Sequence, residues 1–331
     1  PFHTKVIAAT ANEAPHVLDG LLYHQSSLVI NEHYTDTGGF SDHVFAMCRL
    51  LGFRFAPRIR DLKEKRLYLL PGMTVPPEFA SLVAGTINTD LVVRTRRAPE
   101  AGETVTGLSF AIFGGGKGAN QAVAAARAGG SVSMLSGVGD DDFGRQRRAD
   151  LQVESVDTSS VIVTDRAASG VASITLEESG QNRIAYVPGA GWEVAAADAV
   201  ATLDAVQPDL VLSTLELRHE TLAALFEQTR RRGLTLICNG TPEPSDGRDL
   251  IPLADVLIVN EQEALELVDG LDRNWGGIAA RLAGIGPRIV ALTLGADGAL
   301  VWANGAVEVL PTLPVEVVDT TGAGDAFCGA F

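Results

Sequence analysis

Beyond residue 79 the chain alternates between short apolar runs and stretches whose apolar positions recur every three or four residues. The runs at 81–84, 131–135, 210–213, 234–238, 256–259 and 289–293 predict strands. Several are apolar almost throughout, as expected of strands buried on both faces. The periodic stretches predict helices over 119–127, 193–205, 219–231, 261–268 and 275–282, with Gly129-Gly130 and Gly233 as stops. Such alternation predicts an α/β fold, a mostly parallel sheet with helices on both faces. Four further segments, 91–94, 104–111, 172–177 and 183–187, alternate apolar and polar residues over shorter spans. They predict a small antiparallel sheet projecting from the body, suited to covering a site or pairing with a second copy. Near the end, the apolar run 315–318 leads into a glycine turn that opens one more helix, with Asp325 in its first turn.

The first 72 residues have a different texture. Five of the six histidines lie within the first 43 residues, three of the four tyrosines lie before residue 69, and glycine is scarce. This head carries a net charge of +1, whereas the remainder carries −16. The shifts coincide near Leu70-Pro71-Gly72-Met73, and Thr74-Val75-Pro76-Pro77 reads as a linker. The predicted organisation is a head at 1–72, a linker at 73–79 and an α/β domain at 80–331, with Met73 placed as an original start of the second part. No two head histidines stand four apart on a helix, so their spacing favours ordinary polar positions over a metal site.

The overall charge of −15 and pI near 4.8 argue against a nucleic-acid surface. No apolar run approaches the ~20 residues of a membrane span, and the opening residues carry no signal-peptide pattern. The three cysteines, Cys48, Cys238 and Cys328, lack paired or metal-like spacing. Together these features predict a cytoplasmic protein in a reducing compartment.

Chemistry concentrates in a few places. Asp319-Thr-Thr-Gly-Ala-Gly-Asp-Ala-Phe327 would aim the backbone N–H groups of Gly322, Ala323 and Gly324, and the positive end of a helix, at one spot. That spot suits a phosphoryl group in transit. Asp325 beside it makes sense as a base taking a proton from an attacking hydroxyl. Gly114-Gly-Gly-Lys-Gly-Ala-Asn120 is not a Walker loop, since Ala111 and Gly118 stand where Gly and Ser/Thr are required. It reads equally well as a polyol site, with Lys117 and Asn120 offering donors, and as a plain strand-to-helix turn. Asn88 and Asp90 are placed to bind a vicinal diol or to form an Asx turn. Glu216, after the 210–213 strand, is a ligand-edge carboxylate or a solvated loop acid. Asn260 and Glu263 form either a capping box or outer-shell support for a magnesium–phosphate complex. Residues 293–298 are either a phosphate loop or a hairpin turn, since Asp297-Gly298 is a strong turn pair.

Within the head, Phe2-His-Thr-Lys-Val-Ile-Ala-Ala-Thr, Val17-Leu-Asp-Gly-Leu-Leu-Tyr-His, Glu32-His-Tyr-Thr-Asp-Thr-Gly-Gly-Phe and Leu51-Gly-Phe-Arg-Phe-Ala-Pro-Arg-Ile-Arg-Asp-Leu resemble the large replicative transposases of the Tn-three class over residues 2–70. Such enzymes cut DNA with three carboxylates holding two metal ions. The resemblance makes Asp36 the best candidate for one of them. A lone carboxylate cannot assemble that site, so the head is expected to be an inert remnant without functional nucleic-acid binding.

Residues 80–331 resemble the ribokinase branch of the phosphofructokinase-B carbohydrate kinases. Both family signatures are present, Gly115-Gly-Lys-Gly-Ala-Asn-Gln-Ala-Val-Ala-Ala-Ala and Asp319-Thr-Thr-Gly-Ala-Gly-Asp-Ala-Phe. The resemblance implies ATP-dependent phosphorylation of a sugar's primary hydroxyl, with ribose as the leading substrate and nucleosides or other sugars as alternatives. It implies Asp325 as general base and Gly322, Ala323 and Gly324 as the anion hole. Asn88, Thr89, Asp90, Gly116, Lys117, Gly118, Asn120 and Glu216 would contact the sugar. Asn260, Thr293, Leu294, Gly295, Ala296, Asp297, Gly298 and Gly324 would contact the nucleotide. Glu263 would be linked to Mg2+, and Asp319 and Thr321 to a monovalent cation such as K+. The lid sheet implies a possible homodimer. Gly240 and Gly191 depart from the family's usual proline and asparagine. The family also continues past the position of Phe331 with further helices, so this chain by itself is expected to be poorly folded or inactive.

Overall fold

The computed structural model describes residues 32–35, 54–57, 80–240, 247–269, 273–312 and 322–331. The chain divides into two compact units, Pro1–Pro76 and Pro77–Phe331. In the first unit, β1 (Glu32–Thr35) and β2 (Arg54–Pro57) pair in parallel. Asp36, the 73–79 linker and the 315–318 run lie outside the described residues.

The second unit runs β3 (Ala80–Ala84), β4 (Asn88–Thr95), β5 (Ser109–Gly115), α1 (Lys117–Arg127), β6 (Ser131–Gly139), α2 (Asp142–Val153), β7 (Val156–Asp157), β8 (Val161–Thr164), β9 (Gly170–Glu177) and β10 (Asn182–Val187). It continues through α3 (Ala196–Val206), β11 (Leu210–Thr214), α4 (His219–Arg231), β12 (Thr235–Asn239), β13 (Val256–Asn260), α5 (Glu261–Leu267), α6 (Trp275–Ala283), β14 (Ile289–Thr293), β15 (Ala299–Ala303), β16 (Ala306–Leu310) and α7 (Ala323–Ala330). The main sheet has the order β16-β15-β14-β13-β12-β11-β3-β6-β7, with β8 also on β6. Its pairings from β14 to β7 are parallel, and β14, β15 and β16 turn back on one another at the edge.

Alternation along each strand splits the core in two. On β3, Leu82 and Ala84 face one side with α3, α4, α5 and α6, while Val83 faces the other with α1, α2 and Cys328 of α7. The interior strands read as apolar runs because both faces are covered. Burying one such Leu or Ile contributes about 1.5–3 kcal/mol. Ser213 and Thr214 are also fully buried at the end of β11, where the sheet meets the site.

The second sheet, β10-β9-β4-β5, has antiparallel outer pairs and a parallel β4–β9 pair at its centre. Half of it faces water, with Phe110, Phe113 and Ile184 all exposed. The predicted 104–111 strand lies further along, at Ser109–Gly115, so Gly114 and Gly115 belong to a strand and the turn shrinks to Gly116. The predicted 193–205 helix begins at Ala196, after a 3-10 turn over Gly189–Glu193. The sequence reading contained no counterpart of α2. Its buried face consists of Gly144, Arg147 and Leu151, which leaves no apolar stripe to recognise.

Candidate active site

The strand following β3 in the sheet lies to one side of it as β6 and to the other as β11. This reversal puts a crevice at the carboxyl ends of β3 and β11, the place where open α/β sheets bind ligands. Thr86 follows β3 and Glu216 follows β11, and the Thr86 hydroxyl donates to Glu216 Oε2 across the reversal at 2.7 Å. The Thr214 hydroxyl reaches the same oxygen at 3.3 Å. Burial pushes the Glu216 carboxyl up, the Thr86 hydrogen bond and the Lys117 charge pull it back, and the charge of Asp325 adds to the rise.

Asn88 and Asp90 open β4 on the crevice side. Thr89 pairs with Gly114, and strand alternation turns its fully buried side chain to the opposite face from Asn88 and Asp90. Burial raises the Asp90 carboxyl, and the guanidinium of Arg147 opposes the rise. The lid strand β10 brings Tyr186 over this corner. Burial first, and the Glu216 charge second, push its phenol up to about 12, against hydrogen bonding with Thr86 and Asn88. Trp192 donates its indole N–H to the Glu216 carbonyl at 3.0 Å, and the Arg218 guanidinium lies 5.7 Å over its ring.

The glycine loop enters α1 at Gly116, which has φ 97°. A Cβ there would sit 2.5 Å from the Thr86 carbonyl oxygen, so only glycine lets the loop lie against the end of β3. Asn120 and Gln121 then project from the first turns of α1 toward α7. Asn120 Nδ2 donates to Asp325 Oδ2 at 2.9 Å, and Gln121 Nε2 donates to Asp325 Oδ1 at 3.0 Å. The two helices cross closely at Gly329, where a Cβ would lie 2.3 Å from the Gln121 carbonyl oxygen. Gly322, in left-handed conformation, precedes the first turn of α7, so Asp325 stands beside the N–H groups of that turn.

A cavity of about 200 Å3 extends from Asp325 and Gly322–Gly324 past Lys117 to Asn239, Asn260, Glu263 and Thr293. Lys117 Nζ lies 3.6 Å from Glu263 Oε1, so this lysine faces the far flank of the cleft as well as the Glu216 corner. The capping box is formed: Asn260 Oδ1 accepts from the Glu263 N–H at 2.8 Å, and Glu263 Oε2 accepts from the Asn260 N–H at 2.9 Å. Burial raises the Glu263 carboxyl, opposed first by the Asn260 N–H and then by Lys117.

Of the 293–298 segment, Thr293 lines the cavity. Residues 295–297 form an exposed turn between the antiparallel strands β14 and β15, with the Leu294 N–H bonded to the Gly298 carbonyl at 2.8 Å. Asp319 and Thr321 lie outside the described residues. Sequence reasoning missed Thr86, Gln121, Tyr186 and Trp192. Of these, Gln121 alone carried a signal, a polar residue on the inward side of an alanine-rich helix.

Both units resemble known proteins. Residues 80–331 match the model of the pfkB family carbohydrate kinases. The ribokinase of Schizosaccharomyces pombe is 37% identical over 264 residues, covering 76% of this chain and 83% of that protein. The solved structure of Arabidopsis thaliana ribokinase complexed with ribose and ATP superimposes with a TM-score of 0.69 at 25% identity, covering 76% of this chain and 84% of that one. Residues 1–96 match the Tn3 transposase DDE domain. The transposase of transposon Tn501 from Pseudomonas aeruginosa is 57% identical over 88 residues, covering 27% of this chain and 9% of that protein. With residues 80–331 matching the family model and Asn120 meeting Asp325 across the cleft, this chain belongs to the pfkB family of carbohydrate kinases.

Proposed function

We propose that this protein phosphorylates the hydroxymethyl group of a sugar with ATP, converting D-ribose to ribose 5-phosphate. In this reading Asp325 takes the proton of the sugar hydroxyl. The freed oxygen attacks the γ-phosphorus in line, the bond to the β–γ bridging oxygen breaks, and ADP leaves with that electron pair. The N–H groups of Gly322, Ala323 and Gly324 receive the charge that builds on the transferring group. Asn88, Asp90, Asn120 and Glu216 hold the sugar hydroxyls, and Gly116 and Gly118 let the backbone approach. Asn260 and Thr293 flank the nucleotide, with residues 294–298 as the hairpin at its edge.

The observation that carries this reading is the pair of amide donors from α1 that fixes the carboxylate of Asp325 at the mouth of an N-terminal helix turn. Both Glu263 oxygens already have partners, Lys117 and the Asn260 N–H, which fits Mg2+ held through water rather than by direct ligation. When bound, that ion would neutralise phosphate charge. A K+ site would use Asp319 and Thr321. We assign residues 1–72 to a transposase-like remnant, 73–79 to a linker and 80–331 to the kinase. This is supported by the division of the chain at Pro76 and by the kinase match beginning at residue 80.

The test is Asp325→Asn. Turnover should fall by about 10²–10⁴-fold, with sugar affinity by calorimetry nearly unchanged. Equal loss of both would overturn the assignment. A nucleoside acceptor is the second reading. A Cβ built at Gly191 would meet only Thr86 Cγ2 within 4 Å, at 3.8 Å, so the glycine leaves space next to Thr86 that a larger acceptor could use. ADP release measured against a panel of sugars and nucleosides separates the two.

A further inference from the structure

Gln121 is wholly buried, and its amide is oriented by two acceptors at once. Nε2 donates to Asp325 Oδ1 at 3.0 Å and to Asn239 Oδ1 at 3.1 Å. Asn239 is itself pinned, because its Nδ2 donates to the Ile258 carbonyl at 3.0 Å. The orientation of the Gln121 amide is therefore forced. Turned over, it would face two acceptor oxygens with a third. In the observed orientation its own Oε1 has no hydrogen-bond partner. A buried residue that leaves one oxygen unpaired in order to aim both N–H groups is poorly explained as packing. A chain of amides thus runs from the middle of β13, through the end of β12 and the first turns of α1, to the acid of α7.

We infer that Gln121 is a positioning residue for phosphoryl transfer: anchored on Asn239, it sets the rotation of the Asp325 carboxylate so that the remaining lone pairs face the acceptor hydroxyl. This inference rests on the reading of Asp325 as the base. Gln121 lies behind the carboxylate and acts through it. Asn120, by contrast, holds the other oxygen from the sugar side of the cleft. Rotation of a carboxylate moves a lone pair out of line without removing the group, so the chemical step suffers and acceptor binding does not.

The experiment compares Gln121→Leu and Asn239→Ala with the wild-type chain, measuring kcat, sugar KM and melting temperature. Gln121→Leu should lower kcat on the order of 10- to 100-fold while sugar KM stays within about twofold and the protein still melts cooperatively. Asn239→Ala, which leaves Gln121 in place but unanchored, should lower kcat by a smaller factor with the same unchanged KM. Full kcat in a folded Gln121→Leu overturns the inference. A KM that rises as kcat falls also overturns it, since that would make Gln121 part of the acceptor site. If Gln121→Leu does not fold, Asn239→Ala carries the test. Loss of folding in both would assign the network a structural role and overturn the proposal. An active Asp325→Asn sinks the kinase reading itself, whereas an inactive Asp325→Asn beside a fully active Gln121→Leu sinks only the role given to Gln121.

Discussion

The two flanks of the cleft are held together in opposite ways. On the flank proposed to hold the acceptor, here the acceptor flank, the contacts join segments far apart in the chain. Thr86 and Glu216 are 130 residues apart, Gln121 and Asn239 are 118 apart, and Asn120 and Asp325 are 205 apart. On the donor flank, apart from the Lys117–Glu263 ion pair, the contacts close on themselves. Asn260 and Glu263 bond each other three residues apart, and Leu294 bonds Gly298. A local cap forms with its own helix and needs little else. A long-range contact exists only when the sheet and both of its helical layers are in place. The acceptor flank should therefore fail when packing is disturbed at a distance, whereas the capping box and the hairpin should fail only when their own residues change.

The sharpest way to break that contrast is Gly329→Val. The side chain would be forced into the Gln121 backbone and push α7 off α1, carrying Asp325 away from both amides. Turnover should fall by about 10²-fold, and overpacking should destabilise the domain by about 1–3 kcal/mol. Activity assays and denaturant melts check both. Retained activity would mean that the carboxylate does not depend on the helix crossing.

A smaller effect is expected on the donor flank from Asn260→Ala. Loss of the cap should reduce stability by about 1 kcal/mol, or ~2–4 °C in melting temperature for a domain of this size, with sugar affinity by calorimetry unchanged. A comparable loss of sugar affinity would show that the flanks are coupled.

The smallest effect concerns pH. Burial holds the Glu216 carboxyl above the usual carboxylate range, so the ionised side chain weakens the folded state. That penalty disappears below about pH 4, where the carboxyl is protonated in the unfolded chain too. Glu216→Gln without sugar should therefore raise the melting temperature by ~1–2 °C near neutrality, and the gain should shrink on acidification. A gain that grew as pH fell would reverse the sign of the argument.

The same contrast explains what the sequence made legible. Apolar runs marked the interior strands because both faces of β11, β12 and β13 are covered. The edge-on contacts of the lid gave weaker signals, and β5 was placed five residues early because Gly114 and Gly115 read as loop. The arginine-rich sequence of α2 hid a helix whose inward face includes a guanidinium. Asn120 and Asp325 were legible as members of two signatures. Their convergence was a consequence of topology. Gln121 stands in the first signature as a polar residue of an alanine-rich helix, yet its partnership with Asn239 has meaning only through that convergence. Thr89 shows the converse: it sits between two candidate ligands, yet strand alternation turns it away from them.

Trp192 gives the acceptor corner an optical property. Its indole is half exposed, donates to the Glu216 backbone and lies beneath a guanidinium, while Trp275 and Trp302 are partly buried against the core covered by α3, α4, α5 and α6. Any solute that settles against Glu216 alters the polarity and quenching around one fluorophore of three. Occupancy of the crevice should therefore be readable from intrinsic emission alone, before any turnover is measured.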